Sequence, residues 1–526
     1  MRRVGFWIWL AGWIVALSAC GGATDGGGAA QGSQATRQAL MSVASFTPVD
    51  SMASAAASQN QRRTQRGPAP QSLSLAAPAL EQRRSLESDR AGVAGKPRRI
   101  GLAREVTPTQ SHAATASFLK WENSARGGKV AAVSFSSREA LAVRLGLVVR
   151  KMPLDAVVRV YAQKGSTVTE LLGSEILTSI HRNVDKDGDS EAARTFWTPL
   201  VEGEEATLEI ELAPGSPVES LVVAMPRLSH VFVMPTMSKT AESQRLGEAA
   251  SCQVDVACAS DVDTESSATA RMVYVAASGD SYLCTGTLLA DAARSRTPYF
   301  LSAYHCISRQ SEASSLVTYW FYRASSCGSG VLSASAASLS SGATLLYTSR
   351  NTDTSFMRLS AAPPAGAGFA GWDANTPAGL ETIIGLHHPR GDMQKINRGT
   401  LAGFKTCTEA DAEGNYSCME SSASGANHLS SRWGSGVTEG GSSGSGLFKT
   451  VDGAKYLVGQ LHGGSSSCTS PSSTDSYGRF DLAYGDGLKN WLDLPARNPV
   501  YRFFNVSTGA HFFTINAAER DFVKVA

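Results

Sequence analysis

The chain has 526 residues, enough for about three domains of ordinary size and for at least one full hydrophobic core. Its 48 basic and 46 acidic side chains leave a net charge of +2, so no overall field recruits nucleic acid or an anionic membrane surface. No nucleic-acid partner is expected, and function has to be sought at local sites.

Arg2 and Arg3 open the chain, and the apolar run Val4 to Leu17 that follows is too short to span a bilayer comfortably. Residues 1–20 therefore read as a signal peptide, and no other stretch reads as a membrane span. The run ends Leu17-Ser18-Ala19-Cys20, which resembles a bacterial lipobox and makes Cys20 the expected lipid attachment site. The plainer alternative is an ordinary signal peptide with a cysteine nearby by chance. The protein is expected to be exported, and either held at the bacterial outer membrane through a lipid on Cys20 or secreted after processing.

Nine cysteines are present: Cys20, Cys252, Cys258, Cys284, Cys306, Cys327, Cys407, Cys418 and Cys468. Without Cys20 the remaining eight suit four disulfides in an exported protein, and all lie between 252 and 468, which marks that stretch as one unit.

Residues 21–115 are rich in Ala, Ser, Gly and Gln without a sustained period and read as a disordered tether. Residues 116–235 change to short β-prone runs, such as the alternating Thr207-Leu208-Glu209-Ile210-Glu211-Leu212, broken by turns such as Ala213-Pro214-Gly215-Ser216. A small β-sandwich is expected there. Within it, Asp185-Lys186-Asp187-Gly188-Asp189 has its glycine too early for a calcium loop and reads as an exposed acidic turn. Residues 236–250, with Lys239 and Arg245, read as a linker open to processing. The unit 251–495 shows short strands and Gly/Ser turns, closed by a short helix around Gly487 to Leu492. Residues 496–526 carry an aromatic, turn-rich motif from Tyr501 that resembles the start of a small bacterial repeat domain and is expected to be incomplete.

Acyl transfer at a peptide bond needs a hydroxyl nucleophile, an imidazole, a carboxylate to orient it, and N–H donors for the oxyanion. Three segments of the unit offer these in chain order. Leu301-Ser302-Ala303-Tyr304-His305-Cys306 supplies the imidazole, and a Cys284–Cys306 disulfide would staple its loop. Asn351-Thr352-Asp353 places a carboxylate just before an apolar strand. Gly440-Gly441-Ser442-Ser443-Gly444-Ser445-Gly446 is a glycine-rich loop able to present Ser443 and turn N–H groups inward. Taken singly, these are a structural histidine, a turn-forming aspartate and a loop serine. Their joint order His, Asp, Ser inside one disulfide-bounded β unit is that of the chymotrypsin group.

Further segments match one family: Cys252-Gln253-Val254-Asp255-Val256-Ala257-Cys258, Gly385 to Asp392, Gly436-Val437-Thr438-Glu439, Gly459 to Gly464 and Asp475-Ser476-Tyr477-Gly478-Arg479. On these residues 251–495 resemble the bacterial lysyl endopeptidases among the trypsin-like serine proteases. The resemblance implies an all-β fold of two antiparallel β-barrels with the site at their junction, preceded here by the β-sandwich. It implies disulfides Cys252–Cys468, Cys258–Cys327 and Cys284–Cys306, which leaves Cys407 to pair with Cys418. It also assigns His305, Asp353 and Ser443 to catalysis, the N–H groups of Gly441 and Ser443 to the oxyanion, and Asp475 to a pocket for a cationic side chain. His462 is expected in the pocket wall. The implied activity is cleavage of polypeptides after lysine or arginine by a monomer, with no cofactor or metal. The 116–235 segment resembles the amino-terminal region of precursors in this family.

Three departures stand out. Gly446 occupies a place where proline is common, and no tryptophan lies between Cys418 and His428, where the family tends to put one near the catalytic histidine. Ser442 stands where trypsin-like zymogens carry the aspartate that pairs with a new amino terminus, so a folding-assisting pro-region is expected instead of that ion pair. Two other classes compete: an inactive, lipid-anchored binding or adhesion protein, and a metal hydrolase on His387, His388 and Asp392, whose donors lie in a Pro/Gly turn without a third ligand cluster.

Overall fold

In the computed structural model the described residues are 41–48, 60–62, 68–79, 81–82, 96–165, 167–233, 249–409, 411, 415–493, 501–504 and 511–514. The signal peptide, Cys20 and most of the 236–250 linker lie outside them.

The amino-terminal part forms two layers around one core. One layer is a sheet in the order Asn60–Arg62, Thr167–Leu172, Val157–Tyr161, Glu205–Leu212, Lys129–Ser137 and Gln71–Leu75. The other contains Ala142–Lys151, Val222–Val231 and Arg98–Glu105. Val133, Phe135, Leu145, Leu147, Val158, Ile210 and Leu228 from both layers are buried together, the face-to-face packing of a sandwich. The segment read as a tether is structured where it is described. It carries the strands Ser42–Val43, Asn60–Arg62, Gln71–Leu75 and Arg98–Glu105 and the start of the helix His112–Phe118. The reason is non-local: Arg98–Glu105 is short and Arg-rich, and pairing with Val222–Val231 on one side and Ser281–Leu289 on the other makes it a strand.

Asp185 and Asp189 are exposed, but Asp185 to Asp187 are the end of a helix and not a turn. Residues Gly173–Asp187 form an α-helix whose first turn is fixed by Glu175 accepting the Leu172 N–H at 2.8 Å. Gly173, Ile176, Ile180 and Asn183 make its buried face. Asp187, at the last turn, accepts the N–H groups of Gln310 and Ser311 at 2.9 and 2.7 Å, so it anchors this helix to the cysteine-rich unit.

That unit holds two strand systems. Gly446–Val451, Thr382–His387, Lys395–Cys407, His428–Ser435, Thr474–Arg479 and Ala454–Gly464 pair around a full circle, giving a closed six-stranded barrel. Val317–Trp320, Thr269–Val275, Ser281–Leu289, Tyr299–Ala303, Thr354–Leu359 and Ala343–Ser349 pair in that order and stay open as a half-barrel. The fold is thus all-β, with one closed barrel, one half-barrel and the preceding sandwich. Ser281–Leu289 also carries Arg98–Glu105, so half-barrel and sandwich share one continuous sheet. Near the end of the unit, Phe480–Ala483, Tyr484–Leu488 and Lys489–Leu492 form consecutive helical turns, and Tyr501–Phe504 pairs with His511–Thr514.

Candidate active site

His305, Asp353, Ser443 and His462 lie where the half-barrel meets the closed barrel, and Asp475 lies among residues of the closed barrel and its loops. His305 follows the strand Tyr299–Ala303, and the Cys284–Cys306 bond ties the next residue to Ser281–Leu289. The other bonds are Cys252–Cys468, Cys258–Cys327 and Cys407–Cys418. Asp353 directly precedes the paired strand Thr354–Leu359. It has a φ of 48°, a left-handed backbone that aspartate tolerates better than most residues. Both of its oxygens serve His305: Oδ1 accepts the backbone N–H at 3.0 Å and Oδ2 lies 2.7 Å from Nδ1. Nδ1 therefore carries the proton, which leaves Nε2 free to act as a base. Burial pushes the Asp353 carboxyl up, but the His305 and His462 rings and the two hydrogen bonds outweigh it and hold it below the usual range.

The loop Glu439–Ser445 is held against the half-barrel from several sides. Thr285 N–H donates to Ser443 O at 2.8 Å, and the Thr285 hydroxyl donates to Gly441 O at 3.0 Å. Arg390 N–H donates to Gly440 O at 2.7 Å, and its guanidinium pairs with Glu439. Gly441 has a φ of 94° and Gly444 a φ of 79°. At Gly444 a Cβ would stand 2.1 Å from Ser302 Oγ and 2.5 Å from Thr285 O, so only glycine lets the loop approach the strand that leads to His305. His305 Nε2 and Ser443 Oγ are both buried and have no hydrogen-bond partner among the described residues. A base and a hydroxyl on adjoining loops, each with its reactive atom uncommitted, are equipped for proton transfer and acyl transfer.

His462 stacks between Tyr416 and His305, with ring centroids 3.7 and 5.5 Å away. Its Nδ1 lies 3.0 Å from His428 Nε2, and His428 Nδ1 lies 2.8 Å from Asn427 Oδ1. Burial pushes His462 down to about 4 and His428 to about 3, so both rings are neutral at neutral pH. Tyr416 was not legible as part of the site. It lies two residues before Cys418, and the Cys407–Cys418 hairpin folds it back onto His462. His428 gave no signal beyond being a lone histidine.

Asp475 is fully buried on the strand Thr474–Arg479. Its carboxylate accepts from Trp433 Nε1 at 2.7 Å, Thr438 Oγ1 at 2.8 Å, Ser466 N–H at 3.0 Å and Ser466 Oγ at 2.6 Å. Burial pushes its pKa up and these donors pull against it. Gly464 lies against it: a Cβ there would meet Asp475 Oδ1 at 2.1 Å.

His387, His388 and Asp392 do not converge as metal ligands. His387 bonds to Ser442 and Asn397, while His388 Nδ1 faces the Asp392 carbonyl at 3.0 Å. Among the described residues the three-donor group close enough to hold an ion is His305, Asp353 and His462. Its shortest contact is the 2.7 Å His305–Asp353 hydrogen bond, which already occupies Nδ1.

Residues 246–478 match the family model for the lysyl endopeptidase C-terminal domain, and residues 74–232 match that for the lysyl endopeptidase N-terminal domain. The lysyl endopeptidase of Pseudomonas aeruginosa is 29% identical over 414 residues, spanning 74% of this chain and 80% of that protein. Among solved structures, the active form of the Rv3671c protease from M. tuberculosis is 13% identical over 50% of this chain and 97% of its own, with a TM-score of 0.31. The thermostable serine protease AL20 from an extremophilic microorganism is 13% identical over 43% of this chain and 98% of its own, with a TM-score of 0.28. Two domains of one family match in order along the chain, which belongs to the lysyl endopeptidase family of serine proteases.

Proposed function

We propose that this serine protease cleaves polypeptides on the carboxyl side of lysine through an acyl-enzyme, with His305, Asp353 and Ser443 as its triad. His305 Nε2 takes the Ser443 proton as Oγ attacks the scissile carbonyl, then returns it to the leaving amine. Asp353 keeps Nδ1 protonated and stabilises the imidazolium. The N–H groups of Gly441 and Ser443 receive the oxyanion, each worth about 3 kcal/mol in such sites. Water then repeats the sequence to release the acid. The observation that carries this reading is the 2.7 Å His305–Asp353 pair beside two buried, unpartnered reactive atoms, His305 Nε2 and Ser443 Oγ.

Preference for lysine rests on Asp475. A buried carboxylate there favours a cationic substrate side chain over a neutral one, because its four donors hydrogen-bond it without neutralising its charge. Export is supported by four disulfides, which persist in oxidising compartments. Lipid attachment at Cys20 extends this reading to a membrane-held enzyme.

The test is labelling of the protein by a fluorophosphonate, expected for wild type and lost in Ser443→Ala. Digestion of a peptide library then gives the specificity. Absence of labelling in folded wild type overturns the triad, and cuts after apolar residues overturn the role of Asp475.

A further inference from the structure

The residue before Ser443 is uncharged, yet it is among the most firmly held in the loop. Ser442, His387 and Asn397 are all essentially inaccessible to solvent and come from three separate segments: the Ser443 loop and the strands Thr382–His387 and Lys395–Cys407. Ser442 Oγ accepts the Glu439 N–H at 3.2 Å and lies 2.7 Å from His387 Nδ1. His387 Nε2 lies 3.0 Å from Asn397 Oδ1. With the Asn397 oxygen, an atom that only accepts, toward Nε2, the imidazole proton sits on Nε2; Nδ1 then offers a lone pair, and the Ser442 hydroxyl donates to it. Burial pushes His387 down to about 4, which keeps this chain neutral at working pH.

Of the two peptide groups that flank Ser442, Ser442–Ser443 carries the Ser443 N–H itself, and Gly441–Ser442 adjoins the Gly440–Gly441 peptide, which carries the Gly441 N–H and is tied at Gly440 O by the Arg390 N–H. Their other ties are Ser442 N–H to Glu439 O at 3.0 Å, Ser445 N–H to Ser442 O at 3.0 Å, and the Thr285 hydroxyl on Gly441 O. These set the turn. The Ser442 side chain adds an anchor that ties the turn to the closed barrel. We propose that Ser442 and His387 form a neutral, buried latch that holds the Gly441 and Ser443 N–H groups ready for the oxyanion, in place of an ion pair to a new amino terminus. His387 touches no substrate and is a positioning residue. The latch rests on the reading of Ser443 as nucleophile.

The expectation is a loss in kcat with binding spared, because a misaligned donor fails the transition state more than the ground state. In Ser442→Ala and in His387→Leu, kcat falls about ten- to hundredfold, short of removing a whole oxyanion donor, while KM stays within about twofold. The double variant is no slower than the slower single, since both remove one device. His387→Gln, which keeps an acceptor and a donor, recovers part of the loss. Singles with wild-type kcat, losses that multiply in the double, or losses that fall on KM overturn the latch. Should His387→Leu fail to accumulate folded, Ser442→Ala, which removes one oxygen atom, carries the test on its own with thermal unfolding as the check. Fluorophosphonate labelling of wild type separates the two failures: no label means that the Ser443 reading is wrong, whereas a labelled enzyme indifferent to Ser442→Ala means that the latch is.

Discussion

Asp353 does two tasks with one carboxylate, holding the His305 backbone and the His305 ring. Asp353→Asn preserves the shape but offers Nδ1 an amide that can turn its N–H toward the ring, favouring the tautomer in which Nε2 holds the proton. A drop in kcat of about ten-thousandfold at neutral pH follows, with the fold and the Ser443 hydroxyl intact. Steady-state kinetics on a lysyl ester measures it, and a loss of less than tenfold would show that Asp353 does not orient the base. Asp475 makes a different demand, because its four donors and its burial are arranged for a carboxylate. Asp475→Asn turns an NH₂ group toward some of those donors and removes the charge. We expect kcat/KM for lysyl substrates to fall at least about hundredfold while that for neutral substrates changes little. Equal losses on both substrate types would mean that Asp475 supports structure alone.

At the scale of elements, what the sequence made legible was local. His305 next to Cys306, Asp353 before an apolar strand and Ser443 among glycines each announce their backbone setting within a few residues. The helix Gly173–Asp187 left a readable trace in Ile176, Ile180 and Asn183, spaced on one face, but it follows the strand Thr167–Leu172 without a polar cap at Leu172 to mark the change. The strand Arg98–Glu105 left none, since its partners lie far away in the chain and supply the order that its composition lacks. Tyr416 reaches His462 through a hairpin whose register no short motif encodes. The staple beside His305 yields a prediction at this scale. Cys284 and Cys306 are 22 residues apart, and opening a loop of that size costs about 3 kcal/mol of stability by the chain-entropy relation. Replacing both by serine is expected to lower the urea midpoint accordingly and to reduce kcat, since the loop that carries His305 loses its tie to Ser281–Leu289. A stability change with kcat untouched would show that strand pairing alone positions the base.

For the molecule as a whole, the sandwich and the cysteine-rich unit are joined by more than a linker. Arg144, buried in the sandwich, donates to Thr198 O and to Ser315 O across the boundary, and Ser229 Oγ and Ser281 Oγ meet at 2.8 Å. Arg98 donates to the Arg390 carbonyl, next to the residues that hold Gly440. Domain boundaries read from composition could not show this, because the contacts unite residues from 52 to 292 positions apart. The same interior stores a pH dependence. His387 and His462 are pushed down to about 4 by burial, and His388 and His428 to about 3. In the unfolded chain all four take protons near the ordinary value of about 6.5. As pH falls from about 6.5 toward 4 the unfolded chain therefore binds protons that the folded chain refuses, and stability drops by about 1.4 kcal/mol per pH unit for each such proton. Asp475 and Glu312, whose carboxyls burial pushes up, work in the opposite direction, two groups against the four rings and against carboxyls held low, such as Asp353. The net expectation is a urea midpoint that is flat between pH 8 and 7 and falls steeply from pH 6 to pH 4.5. Equilibrium unfolding followed by tryptophan fluorescence across that range measures it. A midpoint unchanged down to pH 4.5 would mean that the four rings accept protons in the folded state, and that the neutral bonds at His387 and His462 are not what the interior is built to keep.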